Sequence, residues 1–114
     1  MQPFEINQKQ KVKLLEMCKK LFPEMYFNFT IIPTVGVNLR TDLYYYPTSR
    51  SRKKRYINWL EFCLIWLPKE MLKDYSFGKY WEIVGKLLNI VHNRDNKKLQ
   101  HPVDFLYKEF EKIK

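Results

Sequence analysis

Residues 25–32, Met25-Tyr26-Phe27-Asn28-Phe29-Thr30-Ile31-Ile32, and residues 37–46, Val37-Asn38-Leu39-Arg40-Thr41-Asp42-Leu43-Tyr44-Tyr45-Tyr46, decide the fold. Both alternate with period two. Met25, Phe27, Phe29 and Ile31 fall on one side of the first stretch, and Tyr26, Asn28, Thr30 and Ile32 on the other. In the second, Val37, Leu39, Thr41, Leu43 and Tyr45 alternate with Asn38, Arg40, Asp42, Tyr44 and Tyr46. Such a period belongs to strands with one buried face. Pro33-Thr34-Val35-Gly36 between them is a turn sequence, so a hairpin is the economical pairing. Tyr45 then belongs to the core side, while Tyr44 and Tyr46 look outward.

Around this hairpin the period changes to that of helices. Residues 7–22 carry Leu14, Cys18, Leu21 and Phe22 on one stripe, with Asn7 and Gln10 placed as a capping box and Pro23 as the stop. Asn58 starts the next helix, with Glu61 three residues on. Trp59-Leu60-Glu61-Phe62-Cys63-Leu64-Ile65-Trp66-Leu67 is apolar nearly all round, which predicts a central buried helix that Pro68 ends or kinks. Trp59, Phe62 and Trp66 read as core. Ser76 caps a further helix with Phe77, Tyr80, Trp81, Val84, Leu87, Leu88 and Val91 on the expected core face. Gly85 within it costs about 1 kcal/mol against Ala, which a close crossing by another element would explain. Arg94–Lys98 reads as a polar loop. His101-Pro102 opens the last helix, whose stripe is Val103, Leu106, Phe110 and Ile113. The expected class is α+β: one domain over residues 1–114, a small antiparallel sheet covered by about four helices, the sheet being either the hairpin alone or the hairpin with a short third strand that ends at Tyr56 or Ile57.

Composition narrows the chemistry. The chain has 114 residues, 21 basic and 12 acidic, for a formal net charge of +9. Its three glycines, Gly36, Gly78 and Gly85, form no phosphate-cradling loop. The two histidines, His92 and His101, and the two cysteines, Cys18 and Cys63, lack the short spacing of a zinc motif, and both cysteines lie in apolar stripes as reduced core residues. Asp42, Glu61, Glu70 and Asp74 are the sparse acids that a nuclease centre would draw on. No catalytic residue, metal or cofactor is therefore expected. The N-terminus has no signal-peptide pattern, and no apolar stretch reaches membrane-spanning length, so the expectation is a cytoplasmic protein with no membrane partner.

More than half of the net charge lies in residues 48–56, within an expected basic loop at 47–56. Arg50, Arg52, Lys53, Lys54 and Arg55 are the candidate phosphate or acidic-partner contacts. Tyr44, Tyr46 and Tyr56 are the candidate stacking residues beside them, and Arg40 is a further cation on the second strand. Clustered cations displace counterions from a phosphate backbone, and exposed tyrosines stack on unpaired bases. The same side chains suit an acidic protein face.

The stretches Ile57-Asn58-Trp59-Leu60-Glu61-Phe62-Cys63 and His101-Pro102-Val103-Asp104-Phe105-Leu106-Tyr107 resemble those of small phage and mobile-element proteins. That resemblance implies a context rather than a motif: a small inhibitor, of the anti-CRISPR kind, acting on a host nucleic-acid-handling protein or ribonucleoprotein in the host cytoplasm. Two function classes follow. One is a non-enzymatic inhibitor using its cationic patch; the other is a protein that binds RNA or DNA directly.

Overall fold

The computed structural model describes residues 5–33, 39–48, 50–93 and 100–113, with only the backbone at 33, 39 and 40. The expected turn at 34–36, strand residues 37–38 and the loop at 94–98 lie outside the described residues. The elements are α1 (Gln8–Leu21), β1 (Tyr26–Pro33), β2 (Leu39–Tyr46), β3 (Arg55–Asn58), α2 (Trp59–Glu61), a π-helical stretch (Phe62–Trp66), α3 (Leu67–Met71), α4 (Phe77–His92) and α5 (Pro102–Ile113). The fold is α+β. Because α2, the π stretch and α3 run on without a break, the described residues form four helical rods: α1 and the central rod lie against the sheet, and α4 and α5 pack against those helices.

The sheet is antiparallel in the order β1-β2-β3. Phe27 faces Tyr45, Phe29 faces Leu43, and Leu43 faces Ile57 across the strands. These residues form the inner face because directly opposed side chains share a side of the sheet. Phe27, Leu43 and Tyr45 are buried there, against Phe62, Cys63 and Leu67 of the central rod and Leu14, Met17 and Cys18 of α1. The Phe27 ring stacks on Tyr45 at 5.5 Å and lies 5.3 Å from Phe62; Tyr45 meets Trp66 edge-on at 5.3 Å. Aromatic rings thus weld sheet to helix. The inner side runs out at Ile31, which is exposed rather than buried as its parity had suggested.

The helix ends follow the caps in the sequence. Asn7 and Gln10 exchange both bonds of the capping box, at 2.8 and 3.0 Å. Asn58 Oδ1 accepts from the Leu60 and Glu61 N–H groups, and Ser76 Oγ from that of Lys79. Pro68 has a subtler effect than a stop. Its ring would press on the carbonyl four residues back in a regular helix. Instead the Leu67 N–H bonds to the Phe62 carbonyl, one residue further than usual. That wider turn lets the rod pass through Pro68 into α3, where the Leu72 N–H closes on the Pro68 carbonyl at 3.0 Å.

A polar seam joins α1 to α5. Asp104 accepts from Lys13 Nζ at 3.0 Å and from Gln10 Nε2 at 3.3 Å, and Tyr107 donates to Glu16 at 2.8 Å. Burial pushes the Asp104 carboxyl up, but the bonds from Lys13 and Gln10 outweigh it, and its pKa lies below the ordinary value. His101 lies parallel to the Trp59 ring at 5.5 Å. Its Nδ1 accepts from the Val103 N–H at 3.1 Å, so Nε2 carries the proton and donates to the Glu5 carbonyl at 2.8 Å. His101 is thus the N-terminal cap of α5 in its neutral form, and burial lowers its pKa.

On α4 the structure corrects the expected face. Ile83, Val84, Leu87 and Ile90 are buried, whereas Phe77, Trp81 and Leu88 are 74%, 51% and 41% exposed. The helix is apolar over more than half its girth, and the flanking aromatics drew the expected face away from Ile83 and Ile90. Among the described residues Gly85 meets no crossing element: a Cβ there would have none of them within 4 Å.

Candidate nucleic-acid interface

The outer face of the sheet carries the site. Tyr26 of β1 stands opposite Tyr46, and Tyr44 of β2 opposite Tyr56 of β3, so strand parity sets all four on one side. Their rings form a platform. Tyr26 lies 6.1 Å from Tyr46 and 6.3 Å from Tyr44, and Tyr44 meets Tyr46 edge-on at 6.3 Å. Asn28, on the same face, donates from Nδ2 to the Tyr26 hydroxyl at 3.2 Å. Tyr26 and Tyr56 are 53% and 57% exposed, and Tyr44 and Tyr46 are half-buried against their neighbours. At one end of this face Asp42 is buried, opposite Thr30 and Asn58.

The basic loop leaves β2 at the edge of the platform. A tight turn holds its first residues: the Ser51 N–H bonds to the Thr48 carbonyl at 3.1 Å, the Thr48 N–H to Ser51 Oγ at 3.2 Å, and the two hydroxyls meet at 3.0 Å. Arg50, Arg52, Lys53, Lys54 and Arg55 are all exposed. Lys54 turns back over the sheet, with Nζ 4.5 Å from the centre of the Tyr44 ring. An exposed cation–π pair of this kind contributes about 0.5–1 kcal/mol, small enough for a ligand to displace.

The expected site residues therefore divide. Tyr44, Tyr46, Tyr56 and Lys54 come together on the outer face, with Arg50, Arg52 and Lys53 on the adjoining loop. Arg55 does not join them: it opens β3 opposite Tyr45, on the helix-covered side. The loop is accordingly shorter than residues 47–56, since Arg55 and Tyr56 are strand. Arg40 lies in β2 opposite Ile32, and its side chain is outside the described residues. Tyr26 was missed as a site residue. The parity of β1 already turned it outward, but only the register of the pair sets it beside Tyr46.

Glu70 is tied to Lys73 at 2.9 Å, and among the described residues no three His, Cys, Asp or Glu side chains gather as a metal site. Cys18 and Cys63 are free and buried, and burial pushes both thiols far up from their ordinary range. Among the described residues no helix is long and apolar enough to cross a membrane. No family model, curated protein or solved structure matches this chain.

Proposed function

We propose that this protein binds an unpaired strand of nucleic acid, without turnover, stacking bases on the sheet tyrosines while the loop cations hold the phosphates. The observation that carries the reading is the juxtaposition of an open face of Tyr26, Tyr44, Tyr46 and Tyr56 with Arg50, Arg52, Lys53 and Lys54. A tyrosine ring offers a flat surface that any unpaired base can cover, while duplex bases are already stacked on one another. Lys54 then leaves the Tyr44 ring as a base arrives and moves to a phosphate. Bound RNA within a host ribonucleoprotein is one form such a strand takes, which joins this reading to an inhibitor's role.

Fluorescence anisotropy with labelled single-stranded RNA, single-stranded DNA and a duplex of the same sequence tests it. The single strands bind more tightly than the duplex. Tyr44→Ala costs about 1–3 kcal/mol, a loss of affinity of about fivefold to 150-fold. Equal affinity for duplex and single strand, or no effect of the substitution, contradicts stacking. An inhibitor that seats the same tyrosines and cations on an acidic protein surface is the alternative; retention by a host complex after nuclease digestion, with no affinity for free strands, is its signature.

A further inference from the structure

The exposed stripe of α4 is independent of the tyrosine face. Phe77, Trp81 and Leu88 recur at helical spacing and stand in solvent, with the Phe77 and Trp81 rings edge-to-face at 5.7 Å. Beside them on the same side of the helix lie Gly78 and Gly85, both exposed. Among the described residues, a Cβ at Gly78 would meet only Ser76 Oγ at 3.9 Å, and one at Gly85 would meet nothing within 4 Å. Neither glycine thus makes room for a neighbour among the described residues, yet each weakens the helix. One surface carries both projections and hollows, which is what an isologous contact requires, since a two-fold axis sets a surface against itself.

We propose that α4 pairs antiparallel with α4 of a second copy of this chain. The register that seats Trp81 in the hollow at Gly85 of the second copy also seats Leu88 in the hollow at its Gly78. Charge agrees with shape. Glu82 and Lys86, paired at 3.5 Å within one chain and about half exposed, edge the stripe on the glycine side. The same register sets Glu82 of one copy alongside Lys86 of the other, and the two-fold repeats that pair.

Sedimentation velocity of nucleic-acid-free protein over a wide concentration range tests the proposal. The mass rises with concentration from 14.1 kDa to twice that value. Trp81→Glu and Gly85→Leu each weaken association at least tenfold. Gly85→Leu at the same time raises the melting temperature of the monomer, since its site is open, so loss of pairing cannot be confused with loss of folding. Glu82→Lys weakens the dimer, and combining it with Lys86→Glu restores it. A wild-type chain that stays at 14.1 kDa throughout, or a dimer unmoved by Gly85→Leu, overturns the proposal.

Discussion

Replacing Arg50, Arg52, Lys53 and Lys54 together by Ala removes the exposed cations that adjoin the tyrosine face while leaving the Thr48–Ser51 turn in place. On a single strand each neutralised phosphate contributes about −0.7 to the slope of log K against log salt. If each of the four cations meets one phosphate, the loop accounts for a slope of about −2.8. A fourfold rise in salt then weakens wild-type binding about fiftyfold through the loop alone. The quadruple variant flattens the slope by that amount. The structure adds an internal control: Arg55 opens β3 on the opposite side of the sheet, so Arg55→Ala barely alters the slope. Anisotropy titrations at several salt concentrations read both. The fold survives, because all four side chains are exposed and the Lys54–Tyr44 cation–π pair that the variant gives up lies at the surface. An unchanged slope in the quadruple variant, or an Arg55→Ala effect as large as that of the other four, refutes the assignment of phosphates to this loop.

Three further outcomes test the scaffold. Phe62→Ala empties the point where Phe27 and Trp66 converge and costs about 3–5 kcal/mol in denaturant unfolding. Stability falls on the acid side in two steps. His101 has a lowered pKa in the fold, so the unfolded chain takes up its proton first; stability is full above the ordinary value of 6.5 and declines as pH drops below it. Asp104, also lowered, contributes stability above the ordinary value of 3.8 that is lost as pH falls through its folded pKa; His101→Gln removes the first step and Asp104→Asn the second. Cys18 and Cys63 are buried with raised pKa values, so a thiol reagent leaves both untouched in the native protein and modifies both after unfolding.

What the sequence made legible was local. Period two in residues 25–46 placed Tyr45 inward and Tyr44 and Tyr46 outward, and the register bears this out. Asn7, Asn58 and Ser76 announced helix starts because a cap needs only its own next turn. Properties that depend on a partner element were hidden. The side taken by Arg55 follows from its pairing with Tyr45, which no pattern within residues 50–56 encodes. The true core face of α4 depends on what packs against it, and a helix apolar over half its circumference has more than one candidate face. The π turn before Pro68 is a compromise between a proline and a buried rod on both sides of it, so where the sequence predicts an end or a kink the rod runs on through a widened turn.

The most direct measurement is photocrosslinking of a short oligouridylate carrying 4-thiouridine, followed by mass spectrometry of the digested protein. If bases stack on the outer face of the sheet, the crosslinked positions are among Tyr26, Tyr44, Tyr46 and Tyr56. Crosslinks confined to other surfaces, with these four tyrosines unmodified in a saturated complex, contradict the account.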